Sequence, residues 1–193
     1  MLKICKKLQE KRFVFVKILA IIIPENGAKV SKIKCLRLNQ QTLIRSDNVN
    51  FTGIESSYFL LGLLSAFENR FQAMADSTMK EISWKQFFVI ICINLCKKAP
   101  TVKELAEIMG SSHQNVKQIL LKLEKKGFVS ISVDEQDKRK QRIELTPYCQ
   151  EFCEKNDERS MNLLKRMFEG VSEEQLQITI QTIIQIEDNL KEI

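Results

Sequence analysis

The chain has 193 residues, of which 44% are hydrophobic and 28% charged, so it is long enough to bury a core and is not a small disulfide-stapled scaffold. A net charge of +6 admits nucleic acid or another anionic surface as a partner. Only six glycines and three prolines indicate few turns and a mainly α-helical fold. Six cysteines in a chain of this size are typical of reduced thiols, so we expect a cytoplasmic protein.

Residues 1–50 differ from the rest in charge. They hold 11 Lys and Arg against 3 Asp and Glu, a net charge of +8, whereas residues 51–193 hold 19 against 21, a net charge of −2. The apolar stretch "FVFVKILAIII" (13–23) is too short to span a bilayer, and no small-residue cleavage site follows it. Residues 13–38 fit a hairpin turning at Asn26-Gly27, or a helix and a loop. We interpret residues 1–50 as a basic extension of unknown role. An alternative interpretation is that they lie upstream of the true start of the protein. We predict no membrane partner.

Two apolar helices are predicted next. Residues 56–79 read as a long helix that is apolar on most faces from Tyr58 to Phe67, and such a helix must be covered, which favours a subunit interface. Residues 82–100 read as a second helix that Pro100 ends. Their aromatic residues fit either a plain core or a pocket for a small phenolic effector: Tyr58, Phe59, Trp84, Phe87 and Phe88.

A short helix, a turn and a further helix follow. "TVKELAEIM" (101–109) opens with a capping box of Thr101 and Glu104, and Gly110 supplies a tight turn. The next helix has Ser112 as its N-cap and stops at Gly127. Helical spacing predicts that it buries Val116, Ile119, Leu120 and Leu123.

The remaining chain predicts a hairpin and two helices. "FVSISVD" and "QRIELT" alternate like strands, and the charged tip "DEQDKRK" (134–140) joins them. Thr146-Pro147 begins a helix that runs to about Phe168. Ser172 and Gln175 then form the capping box of the last helix.

This order of elements predicts a mainly α winged helix-turn-helix protein whose second helix enters a DNA major groove. Gln and Asn amides can bond adenine, Lys can bond guanine, and a helix N-terminus favours phosphate. Residues 97–146 carry 11 Lys and Arg against 7 Asp and Glu, a local net charge of +4. We predict DNA contacts from Ser111, Ser112, His113, Gln114, Asn115, Lys117, Gln118, Lys138, Arg139, Lys140 and Arg142.

His113 is the single histidine of the chain, so it has no histidine partner for a metal pair. No acid follows it at triad-like positions, and no phosphate loop, nucleophile elbow or HExxH motif occurs. The interpretations that remain are DNA contact and a plain surface residue. We predict no catalytic residues, no metal site and no cofactor.

The arrangement resembles the MarR family of bacterial transcription regulators over roughly residues 56–190. The resemblance rests on "TVKELAEIMGSSHQNVKQILLKLEKKGFV" and on the wing "DEQDKRKQRIELT". The family's wing pattern is close to D-x-R-D-x-R, which Asp134, Asp137 and Arg139 match, while Gln136 replaces the first arginine. The resemblance implies a homodimer joined through the first and the last two helices, a palindromic operator, and release of DNA by a small ligand or by thiol oxidation.

We therefore expect a MarR-type winged-helix domain over 51–193, with a DNA-binding lobe at about 82–146 and dimerisation helices at about 56–79 and 147–192. Its function is predicted to be sequence-specific transcriptional regulation, by family habit as a repressor. The alternative is a winged helix that contacts other proteins without reading DNA sequence. The near-neutral charge of residues 51–193 and the wing residue Gln136 leave that alternative open.

Two cysteine pairs share a helix face, because Cys92 and Cys96, and Cys149 and Cys153, lie four residues apart. They fit small apolar core residues, or else a thiolate metal site or redox switch. Cys149 lies near a predicted helix start, where the helix dipole lowers a thiol pKa, so it is the first candidate for a switch.

Overall fold

The computed structural model describes residues 53–193, in which six helices and two strands follow one another. Residues 53–85 belong to one compact unit and residues 86–193 to another. The predictions for residues 1–50 lie outside the described residues. The elements are α1 Ser56–Thr78, α2 Trp84–Leu95, α3 Val102–Ile108, α4 His113–Lys125, β1 Val129–Val133, β2 Gln141–Leu145, α5 Pro147–Met167 and α6 Glu173–Leu190.

Helix α1 forms over the predicted residues and buries only Ala75 completely. The rings of Phe67 and Phe71 stack with centroids 5.9 Å apart, and the Phe71 ring meets the Trp84 ring edge-on at 4.6 Å. The Trp84 backbone N–H donates to the Asp76 carboxylate, which holds the first residue of α2 against the end of α1. Large apolar side chains stay exposed along α1, among them Tyr58 (71%), Leu61 (55%) and Phe67 (52%).

Helix α2 is apolar nearly all round and is the most buried element, with seven of its twelve residues buried. It ends at Leu95, so the prediction that it continues to Pro100 is wrong. The residue before a proline is pushed towards extended backbone, and here Ala99 and Pro100 turn their carbonyls towards β2. The Pro100 carbonyl accepts from the Ile143 N–H at 3.0 Å, and Thr101 forms a bridge with Arg142.

Helices α3 and α4 pack together, and α4 also packs on β1. The strands pair antiparallel in a register that runs from Val129–Leu145 to Val133–Gln141, and residues 134–140 form the loop that joins them. The centre of this core is fully buried and consists of Leu105, Val116, Leu120, Leu123, Phe128 and Ile143. The four residues predicted as the buried stripe of α4 are confirmed.

Helix α5 is joined to the hairpin at its first turn. Thr146 caps the helix by accepting from the Cys149 N–H, and its hydroxyl donates to the Gly127 carbonyl at 2.6 Å. The Phe128 ring meets the rings of Tyr148 and Phe152 edge-on, each at 5.1 Å. Helix α6 begins at the predicted capping box and has no fully buried residue.

Candidate nucleic-acid interface

The turn between α3 and α4 sets the direction of the second helix. Gly110 adopts the left-handed φ of 58°, which a residue with a Cβ enters only at a cost. The Ser111 N–H bonds the Ala106 carbonyl and the Gly110 N–H bonds the Glu107 carbonyl, and this pair of bonds closes α3 as a Schellman motif. Ser112 then caps α4, with its hydroxyl accepting from the Asn115 N–H at 3.2 Å.

One face of α4 is polar and exposed along the first two turns. Opposite lies the buried stripe that anchors the helix to α3 and β1, so this outer face is set by the packing of the inner one. The exposed side chains on it include His113, Gln114, Lys117 and Gln118. The prediction that these four side chains lie on the outer face of α4 is confirmed. Their contact with DNA stays a prediction.

Three residues at the start of α4 are engaged with one another. The Asn115 side-chain amide donates to the Ser111 hydroxyl at 2.9 Å, and Ser112 accepts from the Asn115 backbone. Their side chains therefore shape the helix start. Exposed polar groups suited to base reading lie on Gln114, Lys117 and Gln118.

The hairpin tip carries the exposed cations predicted for the wing. The Arg139 side chain is 92% exposed and its Nε lies 3.2 Å from an Asp137 carboxylate oxygen. Lys140 lies 3.3 Å from the other Asp137 oxygen, and Lys138 is exposed. Hydrogen bonds from Arg139 hold the pKa of Asp137 below its usual range. These exposed surface pairs are weak, so the cations are available to an incoming phosphate.

Arg142 differs from the other predicted DNA contacts, because its side chain turns inward and is only 25% exposed. Its Nε donates to the Asp134 carboxylate, and its Nη1 donates to the Ala99 carbonyl at 3.0 Å. The same Nη1 lies 3.6 Å from the Glu104 carboxylate. The sequence predicts that Arg142 contacts DNA, whereas in the structure its guanidinium binds acceptors at the base of the hairpin.

Sequence reasoning missed these acidic partners and one apolar residue. Glu104 was identified as a capping residue and Asp134 as part of a wing pattern, and nothing in the local sequence pairs them with Arg142. Leu121 is 44% exposed on α4, one turn beyond Lys117. The helical spacing predicts that Leu121 lies on the polar face, because it follows Gln118 by three residues and Lys117 by four.

The four described cysteines are free thiols, and Cys92 and Cys149 are buried. Burial raises the pKa of Cys92 to about 12. A hydrogen bond to Cys153 and then burial raise the pKa of Cys149, so the expectation that the helix start lowers it is wrong. The same hydrogen bond, seen from its acceptor, lowers the pKa of Cys153.

Residues 53–193 also bear on two other kinds of site, a membrane-spanning helix and a metal centre. No helix in this range is both long and apolar enough to cross a bilayer. No group of three or more His, Cys, Asp or Glu side chains there is placed to hold a metal ion.

Comparison with known proteins matches residues 82–140 to the model of the MarR family. The fold is similar to a MarR/EmrR family regulator from Acinetobacter sp. ADP1, with 17% identity, a TM-score of 0.64, and coverage of 72% of this chain and 100% of that one. A MarR protein from Peptoclostridium difficile is 19% identical, with a TM-score of 0.65 and coverage of 77% of this chain and 96% of that one. The S. aureus MepR–DNA complex is 19% identical, with a TM-score of 0.61 and coverage of 71% of this chain and 99% of that one. The predicted winged-helix fold class is confirmed.

Proposed function

The chain carries a MarR-family domain over residues 82–140, and from this premise we propose that it binds duplex DNA and regulates transcription. The observation that carries the proposal is the exposed face of α4, where amide and cationic side chains stand over a buried stripe. Such a helix fits a major groove about 12 Å wide and presents its first turns to the base edges. The MepR structure was solved with DNA, which supports this use of the same fold.

The wing extends the proposed interface. Lys138, Arg139 and Lys140 form an exposed basic tip at the end of a two-stranded arm. A basic tip of this kind suits the narrow, electronegative minor groove beside the major-groove site. Residues 51–193 carry a net charge of −2, so the attraction that this part of the chain offers to DNA comes from the local cationic tip and not from its summed charge.

The proposed assembly is a homodimer on a palindromic operator. Helix α6 buries no residue, and Ile184 (43%) and Leu190 (63%) stay exposed on it. Helix α1 exposes Tyr58, Leu61 and Phe67 over its own length. Apolar surface of this extent is typical of an interface, and a two-fold pair of recognition helices matches a palindrome.

We further propose that the protein acts in the cytoplasm as a repressor, released by a small ligand or by oxidation of a thiol. Among the described thiols Cys153 is the better redox candidate, since it is half-buried and its pKa is lowered. Peroxide is expected to release DNA from the wild type and from Cys92→Ser, and not from Cys153→Ser. Equal release from all three proteins would remove Cys153 from the proposal.

Selection of bound fragments from genomic DNA tests the proposed function. We expect enrichment of a palindromic motif whose half-sites are about one helical turn apart. The α4 variant Gln114→Ala/Lys117→Ala is expected to lose the enrichment, and the α5 surface variant Lys155→Ala to keep it. Recovery of random fragments by the wild type would favour the protein-interaction alternative.

A further inference from the structure

The base of the hairpin holds a cluster of charged side chains that the DNA-contact assignment does not explain. Arg142 of β2 lies at its centre and reaches three acceptors: the Asp134 carboxylate, the Ala99 carbonyl and the Glu104 carboxylate. These acceptors belong to the wing turn, to the segment before α3, and to α3 itself. One guanidinium therefore joins three segments, because its N–H donors point in fixed directions from a planar fork, whereas a lysine ammonium is a single point charge without that geometry.

Asp134 links this cluster to the conformation of the wing. One of its carboxylate oxygens accepts from the Gln136 and Asp137 N–H groups, each at 2.8 Å, and the other accepts from Arg142. The Asp134 N–H also bonds the Lys140 carbonyl at 2.9 Å, so the same residue closes the turn through its backbone. The hydrogen bonds from Arg142 and from the turn hold the pKa of Asp134 at about 2, so it stays ionised near neutral pH.

Glu104 links the cluster to the helix-turn-helix. Its carboxylate accepts from the Thr101 N–H at 2.7 Å and its own N–H donates to the Thr101 hydroxyl at 3.2 Å, which together form the capping box of α3. The Thr101 hydroxyl also donates to the Glu104 carboxylate at 2.9 Å. The backbone of residues 99–101 runs beside β2 through the Pro100–Ile143 hydrogen bond and the Thr101–Arg142 bridge. Because α3 packs on α4, the position of the wing is tied to that of α4 through Arg142.

We propose that Arg142 is a positioning residue, which fixes the wing against α3 so that the wing tip and α4 meet one duplex together. The effect of Arg142 on DNA affinity rests on the proposed DNA-binding function, whereas the anchoring of the wing by Arg142 does not. Arg142 then governs DNA affinity without touching DNA. The contrast in exposure supports this division, since the Arg139 side chain is 92% exposed and that of Arg142 is 25% exposed.

Limited digestion with trypsin tests the anchoring without DNA. The wing tip offers cleavage after Lys138, Arg139 and Lys140, and an anchored turn resists it because the protease needs an extended strand. Arg142→Gln and Asp134→Asn are expected to speed cleavage at the tip by about tenfold or more, since each removes hydrogen bonds to a charged group. Arg142→Lys is expected to be intermediate, because it keeps the charge and loses the fork.

Lys103→Gln is the matched control for digestion. It removes an ion pair of α3 with Glu107 in which the Lys103 side chain is 82% exposed, outside the cluster. We expect it to leave cleavage at the tip unchanged. A wild-type cleavage rate at the tip in both Arg142→Gln and Asp134→Asn would overturn the anchoring.

A comparison of variants on the selected DNA separates positioning from contact. Introduced into the wild type, Arg142→Gln is expected to lower the affinity for the selected DNA. Introduced into the tip variant Lys138→Ala/Arg139→Ala/Lys140→Ala, it is expected to lower the affinity by less than about a further twofold. If the loss of affinity in the combined variant equals the product of the two separate losses, Arg142 contacts DNA by itself and the proposal is overturned. If the wild type binds no duplex selectively, the proposed function fails, and digestion still decides whether Arg142 anchors the wing.

Discussion

Gln114 and Lys117 have the chemistry that base reading requires, at the place on α4 where it is useful. Both lie on the exposed face within the first two turns, and both are held there by a helix whose opposite face is buried. A glutamine amide can pair bidentately with adenine, and a lysine can donate to guanine O6 or N7. A residue that only touches phosphate affects all sequences alike, so loss of selectivity distinguishes the two roles.

Replacement of Gln114 or Lys117 by alanine is expected to reduce discrimination by about 1–3 kcal/mol at one base position. Binding to single-base variants of the selected site measures this. Lys155→Ala, on the exposed surface of α5, serves as the control and should leave the whole profile unchanged. Wild-type selectivity in both α4 variants would contradict the assignment.

The thiols of α5 are predicted to differ in reactivity because the thiolate, not the thiol, is the nucleophile. The Cys149 pKa is raised and its side chain is buried, whereas the Cys153 pKa is lowered. Brief treatment of the native protein with iodoacetamide near neutral pH should label Cys153 first, as read by fragment mass spectrometry. In Cys153→Ser, Cys149 should remain slow to label. Labelling of Cys149 at the rate of Cys153 would contradict this order.

At the scale of the elements, helix starts were predictable because their causes are local. Ser112, Thr146 and Ser172 cap their helices through hydrogen bonds to residues three positions on. The end of α2 and the role of Arg142 were not predictable, because both depend on partners distant in sequence. Ala99 meets Arg142 across 43 positions, and no periodicity or capping signal records such a contact.

The cap of α4 gives a stability prediction. Ser112→Ala removes the hydroxyl that accepts from Asn115 and should lower the free energy of unfolding by about 1 kcal/mol. Ser112→Gly should cost only a few tenths of that, because glycine is itself a tolerated N-cap. Urea unfolding at one fixed protein concentration measures both changes. Equal losses in the two variants would show that the hydroxyl is not the cause.

At the scale of the whole molecule, the described helices outside the winged-helix core expose apolar side chains. Leu61 on α1 is 55% exposed and Ile184 on α6 is 43% exposed. Burial of such side chains against a second copy stabilises an assembly in proportion to the area removed from water. The proposed homodimer accounts for this surface, and it also gives the two recognition helices that a palindrome needs.

Leu61→Glu and Ile184→Glu are expected to shift the protein from dimer to monomer, as measured by sedimentation equilibrium. Leu121→Glu is the matched control for this measurement, since it places the same charge at a leucine that is 44% exposed on α4, outside the proposed dimer interface. It should leave the mass unchanged. A wild type that sediments as a monomer, or equal dissociation in all three variants, would contradict the proposed assembly.

Fluorescence anisotropy with the genome-selected duplex and a scrambled duplex of the same composition tests the central claim most directly. We predict binding to the selected site tighter by about 10³-fold or more at physiological salt, with affinity for both duplexes falling steeply as salt is raised. The Gln114→Ala/Lys117→Ala variant should bring the two affinities close together. Equal affinity of the wild type for the two duplexes at every salt concentration would contradict the account.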